Sequence, residues 1–224
     1  MIRKHLRKLK EALLRSSFKQ DNVEDTFQKI FNSNFWGSKE SISGVGSNLE
    51  QTETLIIELS KLLQSREDIN SVLDLPCGDF NWMQKVDLTG INYIGADIVK
   101  PLIENNLKSF EKEGRTFRHL NLISDELPKV DLVIVRDCLV HLSEENIALA
   151  ISNLKRSGSK YLLSTSFVDR KQNKNIKNGD WRPINLELTP FNFPKPELSI
   201  LENCTEARGK YKDKTMGLWK ISDL

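Results

Sequence analysis

Four side chains that could bind a ligand or move a proton follow apolar runs in this 224-residue sequence. Asp74 and Asp97 each close a short apolar run and lie 23 positions apart, whereas Asp137 and His141 follow the clearest run, residues 131–135. A carboxylate after a strand can accept both hydroxyls of a ribose, although a lone Asp there is also a common helix N-cap. Imidazole, with an unperturbed pKa of about 6.5, suits a base at neutral pH. The spacing predicts a site for an adenosine-containing ligand beside a candidate base.

The turn after Asp74, in the segment LDLPCGDF, contains one glycine, Gly78. Because glycine has no Cβ, it lets a ligand approach the backbone closely. The pattern GxGxxG of nicotinamide-binding proteins is absent from this turn, which speaks against a nicotinamide-dependent oxidoreductase. The alternative interpretation of the segment is an ordinary junction between a strand and a turn.

From residue 70 onward, apolar runs alternate with segments of helical periodicity. The predicted strands are residues 71–75, 93–96, 117–122, 131–135 and 161–167, with helices over 101–113 and 144–155 and closing strands near 197–201 and 217–222. This alternation predicts an α/β, Rossmann-like fold with a mostly parallel, doubly wound sheet. Ligands of such sheets bind at the carboxyl ends of the strands, near the point where the strand order reverses. The acidic residues named above are predicted to lie at that edge.

Two further regions surround the predicted sheet. Residues 1–65 are predicted to form N-terminal helices and a loop rich in Gly and Ser, and residues 66–224 the core, with an aperiodic insertion over 168–196. We expect one compact domain. Residues 1–19 hold seven basic side chains against one acidic side chain, and Ile2, Leu6, Leu9 and Leu13 recur at helical spacing. This amphipathic helix either lies on the domain with its charged face in water or contacts an anionic membrane surface or an acidic partner.

The composition narrows the classes of partner. Lys and Arg number 33 and Asp and Glu 31, so with a net charge of +2 the chain is not expected to bind nucleic acid. Three cysteines without a CxxC pair favour a reducing, cytoplasmic location over a disulfide scaffold. The sequence contains no apolar run of about 18 residues, so no membrane-spanning helix is expected. A secretory signal is not expected either. The histidines, His5, His119 and His141, lack ligand spacing, so no metal is expected.

The segment LDLPCGDF resembles the first motif of class I S-adenosylmethionine-dependent methyltransferases, an apolar strand and an acidic residue leading into a glycine-rich turn. Pro76 stands where that family usually has its first glycine, and Phe80 where it has its last. The resemblance implies S-adenosylmethionine as cofactor, with Asn121 as a contact to adenine. The residues assigned to the cofactor are Asp74, Pro76, Cys77, Gly78, Asp97, Ile98, Asn121 and Arg136.

The segment RDCLVHL is similar to the RDxxLHL segment of phosphoethanolamine N-methyltransferases. This resemblance implies that Asp137 is a substrate-binding or orienting carboxylate and that His141 is a catalytic base. If the segment begins a helix, the two side chains share a face, and the carboxylate raises the pKa of the imidazole. The alternative for His141 is a structural histidine at a helix start.

A broader resemblance, over residues 27–221, is to small bacterial class I methyltransferases often associated with cell-surface polysaccharide biosynthesis. It rests on the segments FWGSKESISGVGS, LDLPCGDFNWM, IGADIV, RDCLVHLS and GDWRPINL. It implies methyl transfer to an oxygen or nitrogen of a small molecule, a sugar or a phosphorylated metabolite, and leaves the oligomeric state open. Trp36, Ser43, Trp181 and Arg182 are the candidate acceptor-binding residues, with the Trp rings stacking and Arg182 binding an anion.

Two alternatives differ from methyl transfer to a small molecule. The departure of the turn from the glycine pattern favours a non-catalytic cofactor-binding module of the same fold, whereas Asp97, Asp137 and His141 favour an enzyme. A nucleic-acid methyltransferase is disfavoured, because no NPPY-type segment follows the fourth predicted strand.

Overall fold

A computed structural model describes residues 22–224 of the chain. The amphipathic helix predicted over residues 1–19 lies outside the described residues. None of the helices within 22–224 has both the length and the apolar character needed to cross a membrane.

A seven-stranded sheet forms the centre of the molecule. Its strands are β1 (Ser71–Asp74), β2 (Asn92–Asp97), β3 (Arg115–His119), β4 (Leu132–Val135), β5 (Tyr161–Phe167), β6 (Leu198–Leu201) and β7 (Lys214–Lys220). They lie side by side in the order β3-β2-β1-β4-β5-β7-β6. Strands β1 to β5 pair in parallel, and β7 runs antiparallel to both β5 and β6. The predicted mostly parallel α/β fold is confirmed, and the strand order reverses between β1 and β4.

Helices cover both faces of this sheet. They are α1 (Val23–Asn32), α2 (Leu49–Ser65), α3 (Lys100–Phe110), α4 (Glu144–Arg156) and the short α5 (Glu206–Gly209). Alternate residues of β4 face opposite sides: Leu132 packs in the same apolar cluster as Leu55 of α2, and Val133 in the same cluster as Ile147 of α4. Every residue of β4 is buried, as a central strand with helices on both sides requires.

Two strands differ in position from the sequence prediction. Strand β3 covers Arg115–His119 rather than 117–122, because it is an edge strand whose polar residues do not show the apolar run of a central strand. Strand β7 covers Lys214–Lys220 rather than 217–222. It begins with Lys214, whose charge is buried beside carboxylates, so the apolar pattern starts later than the strand does.

The insertion over 168–196 contains neither a helix nor a strand, as its lack of periodicity predicted. It nevertheless fixes the start of α4, because Asn178 and Asn175 accept hydrogen bonds from the backbone N–H groups of Ser143 and Glu144. Ser143 is the N-cap of α4, accepting a hydrogen bond from the backbone N–H of Asn146. The insertion is therefore tied to the segment that follows β4.

Candidate functional site

A cavity of about 410 Å³ opens at the carboxyl ends of the parallel strands, beside the point where the strand order reverses. This volume lies within the range of about 300–1,000 Å³ that is usual for small-molecule sites. Eleven of the fourteen predicted site residues line the cavity. They are Trp36, Ser43, Pro76, Cys77, Gly78, Asp97, Ile98, Arg136, Asp137, His141 and Trp181.

The glycine-turn end of the cavity, defined as residues 76–79 and 97–99, is held together by Asp97. One oxygen of this buried carboxylate accepts a hydrogen bond from the backbone N–H of Gly78 at 3.1 Å, and the other from that of Val99 at 2.9 Å. Burial raises the pKa of Asp97 to about 6, although both N–H donors oppose the rise. Each oxygen keeps a lone pair for a further donor. The structure thus places a mostly ionised acceptor pair beside the turn at neutral pH.

Gly78 adopts a left-handed conformation with φ +55°. A Cβ atom at this position would lie 2.1 Å from the hydroxyl oxygen of Ser43, so no larger residue fits without displacing that side chain. The carbonyl oxygen of Gly78 accepts a hydrogen bond from the amide of Asn106, in α3, at 2.8 Å. The absence of a Cβ at Gly78 is therefore what allows the Ser43 side chain to pack against this turn.

Asp79 fastens the Gly- and Ser-rich loop onto the turn. Its carboxylate accepts hydrogen bonds from the Ser41 hydroxyl at 3.0 Å, the Ile42 backbone N–H at 2.9 Å and the Ser43 hydroxyl at 3.4 Å. Ser43, expected to bind the acceptor, therefore lies at the glycine-turn end. Asp79 was missed from the sequence, because nothing in the sequence pairs it with residues about forty positions earlier.

Asp74 lies behind the cavity, outside the set of described residues that line it. Its Oδ2 accepts a hydrogen bond from the Tyr93 hydroxyl at 2.7 Å, and its Oδ1 is buried without a hydrogen-bond partner in residues 22–224. Burial raises the pKa of Asp74 to about 7, against the Tyr93 hydrogen bond and the Arg136 charge.

Asn121 and Arg182 do not come to the cavity wall as the structure describes it. The Asn121 side chain accepts a hydrogen bond from the backbone N–H of Ile123 in its own turn. The Arg182 guanidinium donates to three backbone carbonyls, those of Lys174, Leu139 and Leu142 at 3.1, 2.7 and 2.7 Å. Its fork is therefore committed to the segment after β4, which removes the geometric basis for Arg182 as an anion anchor.

Three buried charged residues, Arg136, Glu202 and Lys214, form a compact network with the half-buried Asp137 at the cavity. Arg136 lies 2.6 Å from Glu202 and 3.4 Å from Asp137, and Lys214 lies 2.6 Å from Asp137 and 3.4 Å from Glu202. Burial opposes the charge on Asp137, but Lys214 and Arg136 outweigh it and lower the pKa of this carboxyl to about 2. Two cations and two carboxylates thus balance one another.

His141 lies in a short 3-10 turn, Leu139–His141, rather than in an α-helix. Asp137 precedes this turn with φ +50°, so the predicted helical face shared by Asp137 and His141 is wrong. The His141 Nδ1 lies 2.9 Å from the carbonyl oxygen of Asp180. Because a carbonyl only accepts, Nδ1 carries the hydrogen, and the neutral ring keeps its lone pair on Nε2.

The electrostatic prediction for His141 is also wrong. Burial lowers its pKa below the ordinary 6.5, and this outweighs both the hydrogen bond to Asp180 and the charge of Asp137, which raise it. The ring packs on Trp36, with the two centroids 5.0 Å apart, and meets Phe27 edge-on at 6.4 Å. His141 is therefore a neutral imidazole at pH 7, held between an aromatic platform and a backbone carbonyl.

A second group of rings, called here the aromatic wall, consists of Phe167, Trp181 and Tyr211. The Trp181 and Tyr211 centroids lie 4.8 Å apart, and each of these rings meets Phe167 edge-on at about 6 Å. Trp181 remains 39% exposed, so its face is accessible to a ligand. Trp82 differs, since it is buried beneath the guanidinium of Arg136 at 5.3 Å.

No protein-family model matches the sequence, and no curated protein matches it at the significance applied. Solved structures do match. Human N-acetylserotonin methyltransferase in complex with S-adenosylmethionine aligns with a TM-score of 0.57 and 13% identity, over 94% of this chain and 65% of that one. The chain has the fold of the class I methyltransferases.

Two further solved structures match the chain with similar scores. Magnesium protoporphyrin IX methyltransferase from Synechocystis PCC 6803, with bound S-adenosylmethionine, has a TM-score of 0.52 and 16% identity, over 71% of this chain and 82% of that one. The PH0226 protein from Pyrococcus horikoshii OT3 has a TM-score of 0.52 and 18% identity, over 83% of this chain and 92% of that one. At identities this low, the structural match shows the fold alone. The reaction has to be inferred from the residues of the cavity.

Six cavity or network residues of the last third of the chain were missed from the sequence: Phe167, Glu202, Cys204, Glu206, Tyr211 and Lys214. Lys214 and Glu202 have the residue types of ordinary surface charges, and their burial depends on Asp137 and Arg136, which precede them by more than sixty positions. Lys214 lies three positions before the predicted strand 217–222, so the sequence pattern gave no signal for it.

Proposed function

We propose that this protein transfers a methyl group from S-adenosylmethionine to an oxygen or nitrogen of a small molecule. The observation that carries the proposal is the glycine-turn end, where the buried Asp97 carboxylate faces the cavity beside Gly78 in a methyltransferase fold. A paired acceptor at the end of β2 suits the two hydroxyls of a ribose.

The residues present fit this cofactor. Asp97 has one lone pair on each oxygen beyond its contacts to the backbone, and these two lone pairs can accept from the hydroxyls of a ribose. Pro76, Cys77 and Ile98 supply further surface of the same wall.

When bound, S-adenosylmethionine supplies a methyl group on an electrophilic sulfonium. The protein then has to align the acceptor, exclude water and take up a proton. His141 is suited to the last task, because it is neutral at pH 7 and its Nε2 is free of partners in the described residues. The Lys214 ammonium lies 2.6 Å from the Asp137 carboxylate and holds it in place. Asp137 precedes His141 by four positions in the sequence.

The acceptor that the sequence resemblance implies is a sugar or a phosphorylated metabolite, in surface polysaccharide biosynthesis within the cytoplasm. The aromatic wall supports a sugar, since an exposed indole can stack on the apolar face of a sugar ring. A phosphate has less support. The Lys and Arg residues of the described cavity wall are Arg136 and Lys214, and both are already ion-paired.

Calorimetric titration with S-adenosylmethionine tests the proposed function. Asp97→Ala should weaken cofactor binding by roughly 1–3 kcal/mol, which is about 5- to 150-fold in affinity, because a charged acceptor is lost. Asp87→Ala, at an exposed position, is the matched control and should bind like the wild type. Unchanged affinity in Asp97→Ala contradicts the assignment, and methyl transfer to any acceptor excludes a non-catalytic module.

A further inference from the structure

One cavity carboxylate, Glu206, remains outside the balanced charge network. Arg136 and Lys214 each contact both Asp137 and Glu202, at distances between 2.6 and 3.4 Å. The formal charge of these four groups sums to zero. Glu206 lines the cavity at the start of α5, and no Lys, Arg or His of residues 22–224 forms an ion pair with it within 4.0 Å.

Glu206 and Asp137 converge on the loop residue Gly46. A Cβ atom on Gly46 would lie 3.1 Å from the Glu206 Oε1 and 3.5 Å from the Asp137 Oδ2. Burial raises the pKa of Glu206, so the protein alone incompletely compensates its ionised form. The same Cβ atom would lie 4.0 Å from the Lys214 Nζ, so two carboxylate oxygens and one ammonium border the space beside Gly46. Lys214 forms ion pairs with Asp137 and Glu202 and none within 4.0 Å with Glu206, so these five groups keep one negative charge.

The aromatic wall lines the same cavity and provides the second, independent observation. Tyr211 follows Glu206 by five positions, and its ring lies 4.8 Å from that of Trp181. The faces of Trp and Tyr rings attract cations. The Lys210 ammonium already lies 5.5 Å from the centroid of the Tyr211 ring, so Trp181 is the ring of this wall that is offered to a ligand cation. A carboxylate without a counter-cation and a group of aromatic rings both favour a positively charged ligand.

We infer that the methyl acceptor carries a protonated amine, bound by the Glu206 carboxylate beside the aromatic wall. This inference rests on the proposed function and adds the charge of the acceptor to it. The amine serves recognition, and an oxygen or a nitrogen of the same molecule can be the methylated atom. An acceptor that presents only a phosphate is disfavoured, since it would meet Glu206 without an unpaired Lys or Arg in the described cavity wall.

Three probes that share one ring and differ in charge test this inference: benzylamine, benzyl alcohol and benzyl phosphate. Each is titrated calorimetrically into the full chain saturated with S-adenosylhomocysteine at neutral pH. We expect benzylamine to bind about tenfold or more tightly than benzyl alcohol, as hydrogen bonds to charged groups allow, and benzyl phosphate to bind most weakly. Glu206→Gln should remove most of the preference for the amine and leave benzyl alcohol nearly unchanged, whereas the exposed Glu53→Gln should keep it.

The wild-type ranking can overturn the inference without any variant. Equal binding of the amine and the alcohol, tighter binding of the phosphate, or no binding of the amine would each do so. A preference that survives in Glu206→Gln, with S-adenosylhomocysteine affinity intact, assigns the amine to another group and also overturns it. Failure of S-adenosylhomocysteine to bind the wild type is a separate result, since it removes the proposed function on which the inference rests.

Discussion

The two ends of the cavity are built in different ways. At the glycine-turn end, Gly78 and Asp97 follow neighbouring strands, and their hydrogen bond is a direct consequence of parallel pairing between β1 and β2. At the other end, Trp36, His141 and Tyr211 come from three segments separated by about 70 to 105 positions. A regular sheet thus fixes one end, and loops that depend on one another fix the other. Under the proposed function, we expect the first end to determine affinity for the cofactor and the second to determine turnover.

The largest expected effect belongs to the loop-built end. His141→Ala should lower turnover by about 10²- to 10⁴-fold, the usual contribution of a general base, while cofactor affinity stays near that of the wild type. Steady-state kinetics and calorimetry on the same preparation measure the two quantities. The result would separate the ends of the cavity, because Asp97→Ala is expected to show the opposite pattern.

Added imidazole provides the control for His141→Ala. Free imidazole should restore part of the turnover of this variant and leave the wild type unchanged, since the base is then supplied from solution. Full turnover in the variant without imidazole would assign His141 a packing role against Trp36 and Phe27 and would remove the base from the proposed function.

The contrast also explains what the sequence could reveal. Asp97, Gly78 and Ile98 were predicted because the signal is local: an apolar strand followed by a turn places its next residues at the sheet edge. The positions of Asp137 and His141 at the cavity were predicted for the same reason. Their conformation was not, since the left-handed φ of Asp137 prevents the helix that their spacing suggests.

The remaining site residues depend on contacts that sequence patterns do not contain. The Asp79 carboxylate accepts hydrogen bonds from Ser41 and Ile42. The buried Lys214 is neutralised by Asp137 and Glu202. Arg182 shows the converse, as its residue type indicated an anion site while three carbonyls occupy its guanidinium. Long-range pairing of polar groups is specified by the folded chain and not by spacing.

A smaller effect is expected where the two ends meet. Asp79→Asn keeps one acceptor oxygen, which can face the Ile42 N–H, and replaces the other by an NH2 group, so the loop loses a charged acceptor of the serine hydroxyls. Losing one such bond costs roughly 1–1.5 kcal/mol, and we expect cofactor affinity to fall about 5- to 12-fold with little change in turnover. Calorimetry with S-adenosylmethionine measures this change.

Asp87→Asn is the matched control for Asp79→Asn, because Asp87 is exposed and distant from the cavity lining that the structure describes. It should bind the cofactor like the wild type. A loss of turnover without a loss of affinity in Asp79→Asn would show that the loop acts on the acceptor, and the division between the two ends would then be wrong.

The smallest effect concerns pH above neutrality. Burial lowers the pKa of His141 below 6.5, the charges of Arg182 and Lys214 act in the same direction, and Asp137 and the carbonyl of Asp180 oppose them. A base acts in its neutral form, so turnover should fall as pH decreases through this lowered pKa and stay nearly constant above it. Even a pKa of 6.5 would allow a change of only about 1.3-fold between pH 7 and pH 8, so the measured change should be smaller.

The acid side of the same profile distinguishes the two ends. Asp97, with a pKa of about 6, should affect cofactor affinity as it is protonated, whereas His141 should affect turnover at saturating cofactor. Asp137 stays ionised throughout, since its pKa is about 2, and its charge favours the protonated imidazole. Asp137→Asn should therefore shift the acid limb of turnover to lower pH. A limb at or above pH 6.5 in the wild type, or an upward shift in the variant, would mean that another group controls the proton at the loop-built end.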